Sequence, residues 1–311
     1  MPTPTIGQLA AASYPAVLAD KRKAANQWAE SAFMRAMESK GFIKRESLGP
    51  TIEAPLDYQR NPGTVIQTTD LQALSLTKTE VLQAASYTPA EVTVPVTWSK
   101  KDDAMNPTKT QKISFVKALL ENAIESHDDI LEQQIFVTST NGFLGIPTHI
   151  TTGGTGSDGG IDSSTNTFWR NQTNTYVDDT DIESAFTTTW NQCAKGSGAQ
   201  LMPTLMVSDA AQQALFEGTQ QALQRYESQD LKAGFKALMF KTAQYVFSQY
   251  GSSTNVFFLN AKNFNLVVSR EYFRDRGDTQ EIPNANGFNF KIYSALQTVT
   301  NNRSRLGTAH T

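Results

Sequence analysis

The clearest periodicity in the chain runs from Gln111 to Val137. There Ile113, Val116, Leu120, Ile124, His127, Leu131 and Ile135 recur at steps of three or four residues, with Leu119, Ala123 and Ile130 widening the stripe. Such steps keep one face of an α-helix apolar, and a helix of this length runs about 40 Å. Pro107 stands before it and Asn141-Gly142 after it, which sets a start and a stop. Upstream the period changes to two. Val92, Val94, Val96 and Trp98 alternate with other residues, the pattern of a half-buried strand. Ile52-Glu53-Ala54 and Val65-Ile66-Gln67-Thr68-Thr69 read as an outgoing strand region, with Ala85-Ser86-Tyr87 and Val92–Trp98 as its return. Pro55, Pro62, Pro89 and Pro95 confine these strands to edges or bulges. A lone two-stranded ribbon is marginal in water, so this long hairpin is expected to lie on another protein surface. Its best apolar positions, Val65, Ile66, Leu71, Leu74, Leu76, Val81 and Leu82, lack local partners and are the candidate intersubunit contacts.

Residues 1–25 form a weakly apolar arm containing Pro2, Pro4 and Pro15. Such a segment buries too little to fold by itself, so a neighbouring subunit is expected to hold it. A helix is predicted from Asn26 to Lys40, partly covered through Trp28, Ala32, Met34 or Arg35 and Ala36, and stopped by Gly41. After the Gly-rich stretch the second half alternates helix and strand. Thr180 and Glu183 have capping-box spacing, and the helix they open puts Ile182, Phe186, Trp190 and Cys193 on one face, with Gly196 and Gly198 closing it. Leu205-Met206-Val207 reads as a buried strand, and Ser208 starts a helix through Phe216. Phe235–Phe240, Ala243–Phe247, Val256–Asn260, Phe288–Tyr293 and Leu296–Thr300 read as strands, and Asn263–Ser269 as strand or short helix.

Composition narrows the chemistry. The 311 residues carry a net charge of −3, with 39% hydrophobic and 18% charged residues. That balance argues against nucleic-acid binding as the main task, because affinity for phosphate backbones needs clustered Lys and Arg. One cysteine, Cys193, rules out an intramolecular disulfide and a multi-Cys metal site; at helical spacing from Trp190 and Phe186 it reads as core. No apolar run is long enough to span a bilayer, and the N-terminus lacks a signal-peptide pattern. Gly154-Thr155-Gly156-Ser157-Asp158-Gly159 spells a dinucleotide fingerprint, but that motif works only between a strand and a helix, and no amphipathic helix follows. His127 sits on the apolar side of the long helix and reads as a hydrogen-bonded packing residue, while His149 falls in the Gly-rich loop and His310 near the end. Asp178, Asp179 and Asp181 have oxygen ligands that calcium would accept, yet acidic residues opening a helix explain them. The sequons at Asn171 and Asn302 have no secretory context, and Phe168, Trp169, Tyr245 and Phe247 lack the interleaved cations of a base-stacking surface. No catalytic residue, cofactor or metal is expected.

Several stretches are similar, in order and in spelling, to tailed-bacteriophage major capsid proteins of the Hong Kong 97-type fold. Ala54-Pro55-Leu56-Asp57-Tyr58 with Asn61 resembles the start of that family's extended loop. Gly159-Gly160-Ile161-Asp162-Ser163-Ser164-Thr165-Asn166-Thr167-Phe168-Trp169-Arg170-Asn171 resembles the segment that opens its axial domain. Phe258-Leu259-Asn260 with Phe264 and Leu266 resembles a late axial strand, and Asn302-Arg303-Ser304-Arg305-Leu306-Gly307 its basic terminus, interrupted here by Ser304. The resemblance covers about residues 26–311 and implies an α+β fold. It would comprise an N-terminal arm with a short helix (1–49), an extended β-hairpin loop (50–91), a peripheral domain with a spine helix (92–143), a mixed α/β axial domain (144–278), and returning peripheral strands with a C-terminal tail (279–311).

What the resemblance implies for function is a shell of pentamers and hexamers of this one chain, enclosing double-stranded DNA without sequence-specific binding. It further implies a separate scaffolding protein, a portal, in some members a decoration protein, no membrane, synthesis in the host cytoplasm and a place in the virion. Some members crosslink through a Lys and an Asn; Lys78 and Asn301 or Asn302 lie in the corresponding regions without a diagnostic motif. An encapsulin-type nanocompartment is the alternative, and a carbohydrate- or nucleotide-acting enzyme a distant one. Residues 59–86 are expected to contribute little to the subunit's own core. Leu131→Ala is expected to destabilise the protein, and Glu132→Ala to be tolerated.

Overall fold

The computed structural model describes residues 5–23, 31–58, 63–68, 80–106, 108–139, 142–194, 202–221, 228–230 and 236–311. The chain opens with α1 (Ile6–Lys23) and α2 (Ala32–Ser39), followed by β1 (Ile43–Glu46), β2 (Ile52–Asp57), β3 (Leu82–Tyr87) and β4 (Ala90–Ser99). Then come α3 (Lys100–Met105), the long α4 (Lys109–Ile135) and the single turn α5 (Ile146–His149). Short strands β5 (Ser157–Asp158), β6 (Ile161–Asp162) and β7 (Gln172–Thr175) lead to α6 (Asp179–Cys193), β8 (Leu205–Ser208) and α7 (Ala210–Gln221). The remainder is β9 (Ser228–Asp230), β10 (Lys236–Phe240), β11 (Ala243–Phe247), β12 (Asn255–Leu259), β13 (Phe264–Ser269), β14 (Asp275–Arg276), β15 (Gln280–Glu281), β16 (Gly287–Thr300) and β17 (Gly307–His310).

Two mixed sheets organise these elements. The first is built on β16, whose 14 residues take β4 along one side from Gly287 to Leu296. The other side takes β15, β14 and β13 in turn, with β1 parallel beyond β13. Phe288–Tyr293 and Leu296–Thr300, two strands in the sequence reading, are thus one. The second sheet has the order β7-β17-β12-β8-β11-β10-β9. Its member β17 is the C-terminal stretch expected as a polar tail. Gly307 to Ala309 are buried there, because β17 lies inside the sheet, paired with β7 on one side and β12 on the other. Asn263–Ser269, left open between strand and helix, is strand β13 with every residue buried.

α4 lies on the first sheet as its periodicity demands. Val116, Leu120, Ala123 and Ile124 pack with Val96, Trp98, Phe290 and Ile292, and Leu131 and Ile135 join Leu266, Val268 and Leu296. Thr108 and Gln111 form a capping box at its start. Ile113 and Ile130, counted in the stripe from sequence, are instead 40% and 37% exposed. Lys112 and Glu132 are buried in their place: Lys112 pairs with Asp103 at 2.6 Å, and Ser248 donates to Glu132 Oε1 at 2.5 Å. Long side chains can follow an apolar face and still satisfy a polar end. His127 is a packing residue, with its Nε2 2.9 Å from Ser294 Oγ and its Nδ1 3.1 Å from Asp128.

The arm expected to need a neighbour is α1. Ile6, Ala10, Tyr14 and Val17 fall at helical spacing, are buried, and close the core between α4 and β4. That stripe outweighs Pro15, which sits inside the helix. α2 starts at Ser31, whose hydroxyl caps Met34, and buries Ala32 to Met37; Gly41 follows with φ 78. Trp28 lies outside the described residues, as do Gly196 and Gly198. Val92–Trp98 does not return along the hairpin but pairs with β16. Two helix starts also move. Asp178, accepting from Thr180 N, caps α6 in place of Thr180, and Asp209, accepting from Gln212 N, opens α7 in place of Ser208, the last residue of β8.

Replacing the buried Leu131 with Ala should cost about 2–5 kcal/mol, while Asn122→Ala on the exposed face should change stability by less than about 0.5 kcal/mol. Glu132→Ala, expected from sequence to be harmless, should now cost about 1–3 kcal/mol, because Ser248 loses its buried acceptor. Urea unfolding of the three variants checks the order; a neutral Glu132→Ala would contradict the Ser248 contact.

Candidate assembly interface

β2 and β3 form a two-stranded ribbon from Ile52 opposite Tyr87 to Asp57 opposite Leu82. Alternate side chains turn to one face. Ala54, Leu56, Ala85 and Tyr87 are buried there against Ile161, Trp169, Val267 and Val299. The root of the hairpin therefore belongs to the subunit core. The expectation that residues 59–86 contribute little to that core is corrected at Ala85, which is buried in the root, a small residue that carries little apolar signal.

The surface under this root is a loop built on glycines. Gly159 has φ 58, and a β-carbon there would stand 2.6 Å from Ala85 Cβ and 2.9 Å from the Tyr87 ring. Its carbonyl accepts from Ser86 N at 3.0 Å. Only glycine combines that backbone angle with that approach. Trp169 is buried behind the loop and donates from Nε1 to the Asp158 carbonyl at 3.0 Å. Phe168 stacks on Tyr58 with centroids 4.7 Å apart. The residues of the glycine fingerprint run into β5 and β6, so the strand-to-helix setting of a dinucleotide site is absent from this segment.

A buried arginine holds the loop. Arg303 is fully buried and donates from Nε to the His149 carbonyl, from one terminal nitrogen to the Gly156 carbonyl at 3.0 Å and Ser163 Oγ at 3.1 Å, and from the other to Thr151 Oγ1 at 3.2 Å. Beside it, Asp158 Oδ2 lies 2.9 Å from His149 Nδ1 and 3.4 Å from the Tyr87 hydroxyl. Tyr87 donates to the Thr300 carbonyl at 3.1 Å. Burial, and next the Asp158 charge, pushes the Tyr87 hydroxyl well above its ordinary range, so it stays a neutral donor. The sequence resemblance marked 159–171 and 302–307 separately; that they meet through Arg303 left no trace in spacing or periodicity.

Of the candidate contact residues, Ile66 is 89% exposed, Leu82 72% and Val65 47%, and Val81 is half-buried. Leu71, Leu74 and Leu76 lie outside the described residues, as does Lys78. Of the strand expected at Val65–Thr69, residues 65–68 are not in a strand among the described residues, and Thr69 lies outside them. Asn301 is tied to Asn263 at 2.9 Å. Among the described residues no group of three or more His, Cys, Asp or Glu could hold a metal ion, and no helix is long and apolar enough to cross a membrane.

No protein-family profile and no curated protein sequence matches the chain. Solved structures do. The cyanophage A-1(L) capsid asymmetric unit aligns with a TM-score of 0.59 at 15% identity, covering 87% of this chain and 90% of that chain. A native GTA particle capsid gives 0.58 at 9% identity, covering 88% and 89%. The chain has the Hong Kong 97-type capsid fold. The holo-SrpI encapsulin of Synechococcus elongatus shares it, with a TM-score of 0.53 at 9% identity over 86% of this chain and 84% of that one. Shell proteins of phages and of encapsulins thus share this architecture.

Arg303→Lys should destabilise the subunit by at least about 2 kcal/mol, because an ammonium cannot reproduce the planar fork that serves four acceptors. Gly159→Ala should cost about 1–3 kcal/mol through overpacking against Ala85 and Tyr87. Calorimetric melting of both variants checks this; wild-type midpoints would show that the loop is not braced as described.

Proposed function

We propose that this chain is the major capsid protein of a tailed bacteriophage: a structural protein, not an enzyme, that assembles as pentamers and hexamers into an icosahedral shell around double-stranded DNA. The observation that carries this reading is a subunit with the capsid fold in which Val65, Ile66 and Leu82, beside the ribbon β2–β3, are exposed among the described residues. Apolar groups on a protruding ribbon are stabilised by contact with another copy. The net charge of −3 suits a wall that encloses DNA without gripping it. On this reading a separate scaffolding protein and a portal act with it, synthesis is in the host cytoplasm, and Leu71, Leu74, Leu76 and Val81 join the exposed positions in the intersubunit contact.

The second reading, an encapsulin-type compartment, is favoured by the SrpI likeness. Electron microscopy of purified particles separates the two: DNA-filled shells with one modified vertex fit the virus, and shells loaded with protein cargo fit the compartment. A chain that stays monomeric under every assembly condition overturns both. Because the ribbon root is core, the informative deletion is residues 59–80 replaced by a short Gly/Ser link, leaving β3 intact. The product should melt cooperatively near the wild-type temperature and form no closed shells. Normal shells from that deletion would remove the hairpin from the interface.

A further inference from the structure

The two fully buried histidines, His127 and His149, look alike until their protons are counted. A neutral imidazole donates from one ring nitrogen and accepts on the other, whereas an imidazolium donates from both. His127 Nε2 lies 2.9 Å from Ser294 Oγ, and that oxygen accepts from Arg274 N at 2.8 Å. The Ser294 hydroxyl proton is therefore available to His127 Nε2, while Nδ1 donates to Asp128 at 3.1 Å. A neutral His127 satisfies each of these contacts.

His149 has no such solution. Its Nε2 lies 2.8 Å from Thr298 Oγ1, but Thr298 gives its one hydroxyl proton to the Leu144 carbonyl, which can only accept. Thr298 Oγ1 is left as an acceptor for Nε2–H. Nδ1 faces a second acceptor, with Asp158 Oδ2 2.9 Å away. Each neutral tautomer breaks one of these contacts. Without a proton on Nδ1, a lone pair faces the carboxylate; without one on Nε2, Thr298 must turn away from the Leu144 carbonyl. Moving the proton to Asp158 keeps the bonds but forfeits the attraction of its carboxylate for Arg303.

The charged and titratable groups around the His149 ring come from three other elements. Asp158 is on β5, Tyr87 on β3 with ring centroids 5.7 Å apart, and Arg303, in the turn after β16, donates from Nε to the His149 carbonyl. Phe264 of β13 packs edge-on at 5.6 Å. Arg303 disfavours a second cation here and Asp158 favours it. The hydrogen bonds decide, because a buried polar group without its partner has lost its hydration and gained nothing. We propose that His149 is held as an imidazolium paired with Asp158, and that this pair makes the seat of the ribbon β2–β3 a pH-sensitive latch that loosens on the alkaline side. The seat is involved because the Tyr87 hydroxyl lies 3.4 Å from Asp158 Oδ2, and Ser86 N donates to the carbonyl of the next residue, Gly159, at 3.0 Å. An unfolded chain loses the histidine proton near about pH 6.5. Below that pH both states hold it and the latch contributes in full. As pH rises further only the folded subunit keeps the proton, so stability falls until the folded subunit too gives it up.

Histidine-selective nitrogen-15 labelling reads the protons directly, in free subunits or in shells, so the test stands apart from the shell-forming reading. Of the 3 histidines, one and only one should carry protons on both ring nitrogens at about pH 8. Thr298→Val, which removes the acceptor for Nε2, should abolish that signal, and His127→Gln should leave it in place. The unfolding equilibrium of the wild type should rise about tenfold per pH unit between about pH 6.5 and the pH at which the signal is lost. The Thr298→Val subunit should lack this slope, however stable it is. Three singly protonated histidines at about pH 8 would overturn the proposal, as would a doubly protonated one that survives Thr298→Val or vanishes in His127→Gln. If Thr298→Val does not fold, the wild-type spectrum and His127→Gln decide.

Discussion

The guanidinium of Arg303 is the interaction on which the rest of the molecule depends. It sits in the turn between β16 of one sheet and β17 of the other, where the chain must cross from one layer to the next. Burying a charge there without partners would cost several kcal/mol. The acceptors are carbonyls and hydroxyls of residues 149–163, so satisfying Arg303 fixes that loop. The loop in turn presents Gly159 beneath Ala85 and Tyr87. Burial pulls the guanidinium below its ordinary pKa, and the Asp158 charge opposes the shift; arginine titrates so high that it remains charged throughout.

A second crossing reinforces the first. Asn260 and Asn263 lie between β12 of one sheet and β13 of the other. Asn263 bonds Asn301 through its side chain and receives Asn301 N and Thr300 Oγ1 on its carbonyl. The two chain crossings are thus hydrogen-bonded to each other, and the two sheets meet at a junction braced by polar groups with an apolar core around it. Such networks specify one arrangement when their members are satisfied.

What the sequence made legible follows from how strong each local signal is. α4 could be read because its apolar residues repeat over seven turns. β4 was equally plain, and the collinear stretches at 54–58, 159–171 and 302–307 were enough to expect the Hong Kong 97-type architecture. α1 was missed because three prolines suggested disorder while Ile6, Ala10, Tyr14 and Val17 are spread thinly among alanines and polar residues. The pairing of β4 with β16 spans almost two hundred positions, and no local pattern encodes so distant a partner. At the hairpin, Val65, Ile66 and Leu82 are exposed as their lack of local partners suggests, but Ala54 and Ala85 gave no hint that the root is core. Arg303 was visible as part of a basic terminus; its burial is a tertiary fact.

The two edges of the ribbon β2–β3 differ in the backbone groups they present. Burial alone cannot choose between the two sides of a flat hairpin, because both faces of the choice expose the same side chains. Backbone groups can choose, since a strand edge either offers an N–H at the right spacing or does not. Pro55 removes that offer on one side, and the glycine loop engages Ser86 on the other. The contact of Ser86 with the Gly159 carbonyl has a direction and a register of this kind. On the loop side the edge is set by the subunit's own fold, because the Gly159 loop that engages Ser86 is held by Arg303 and its acceptors.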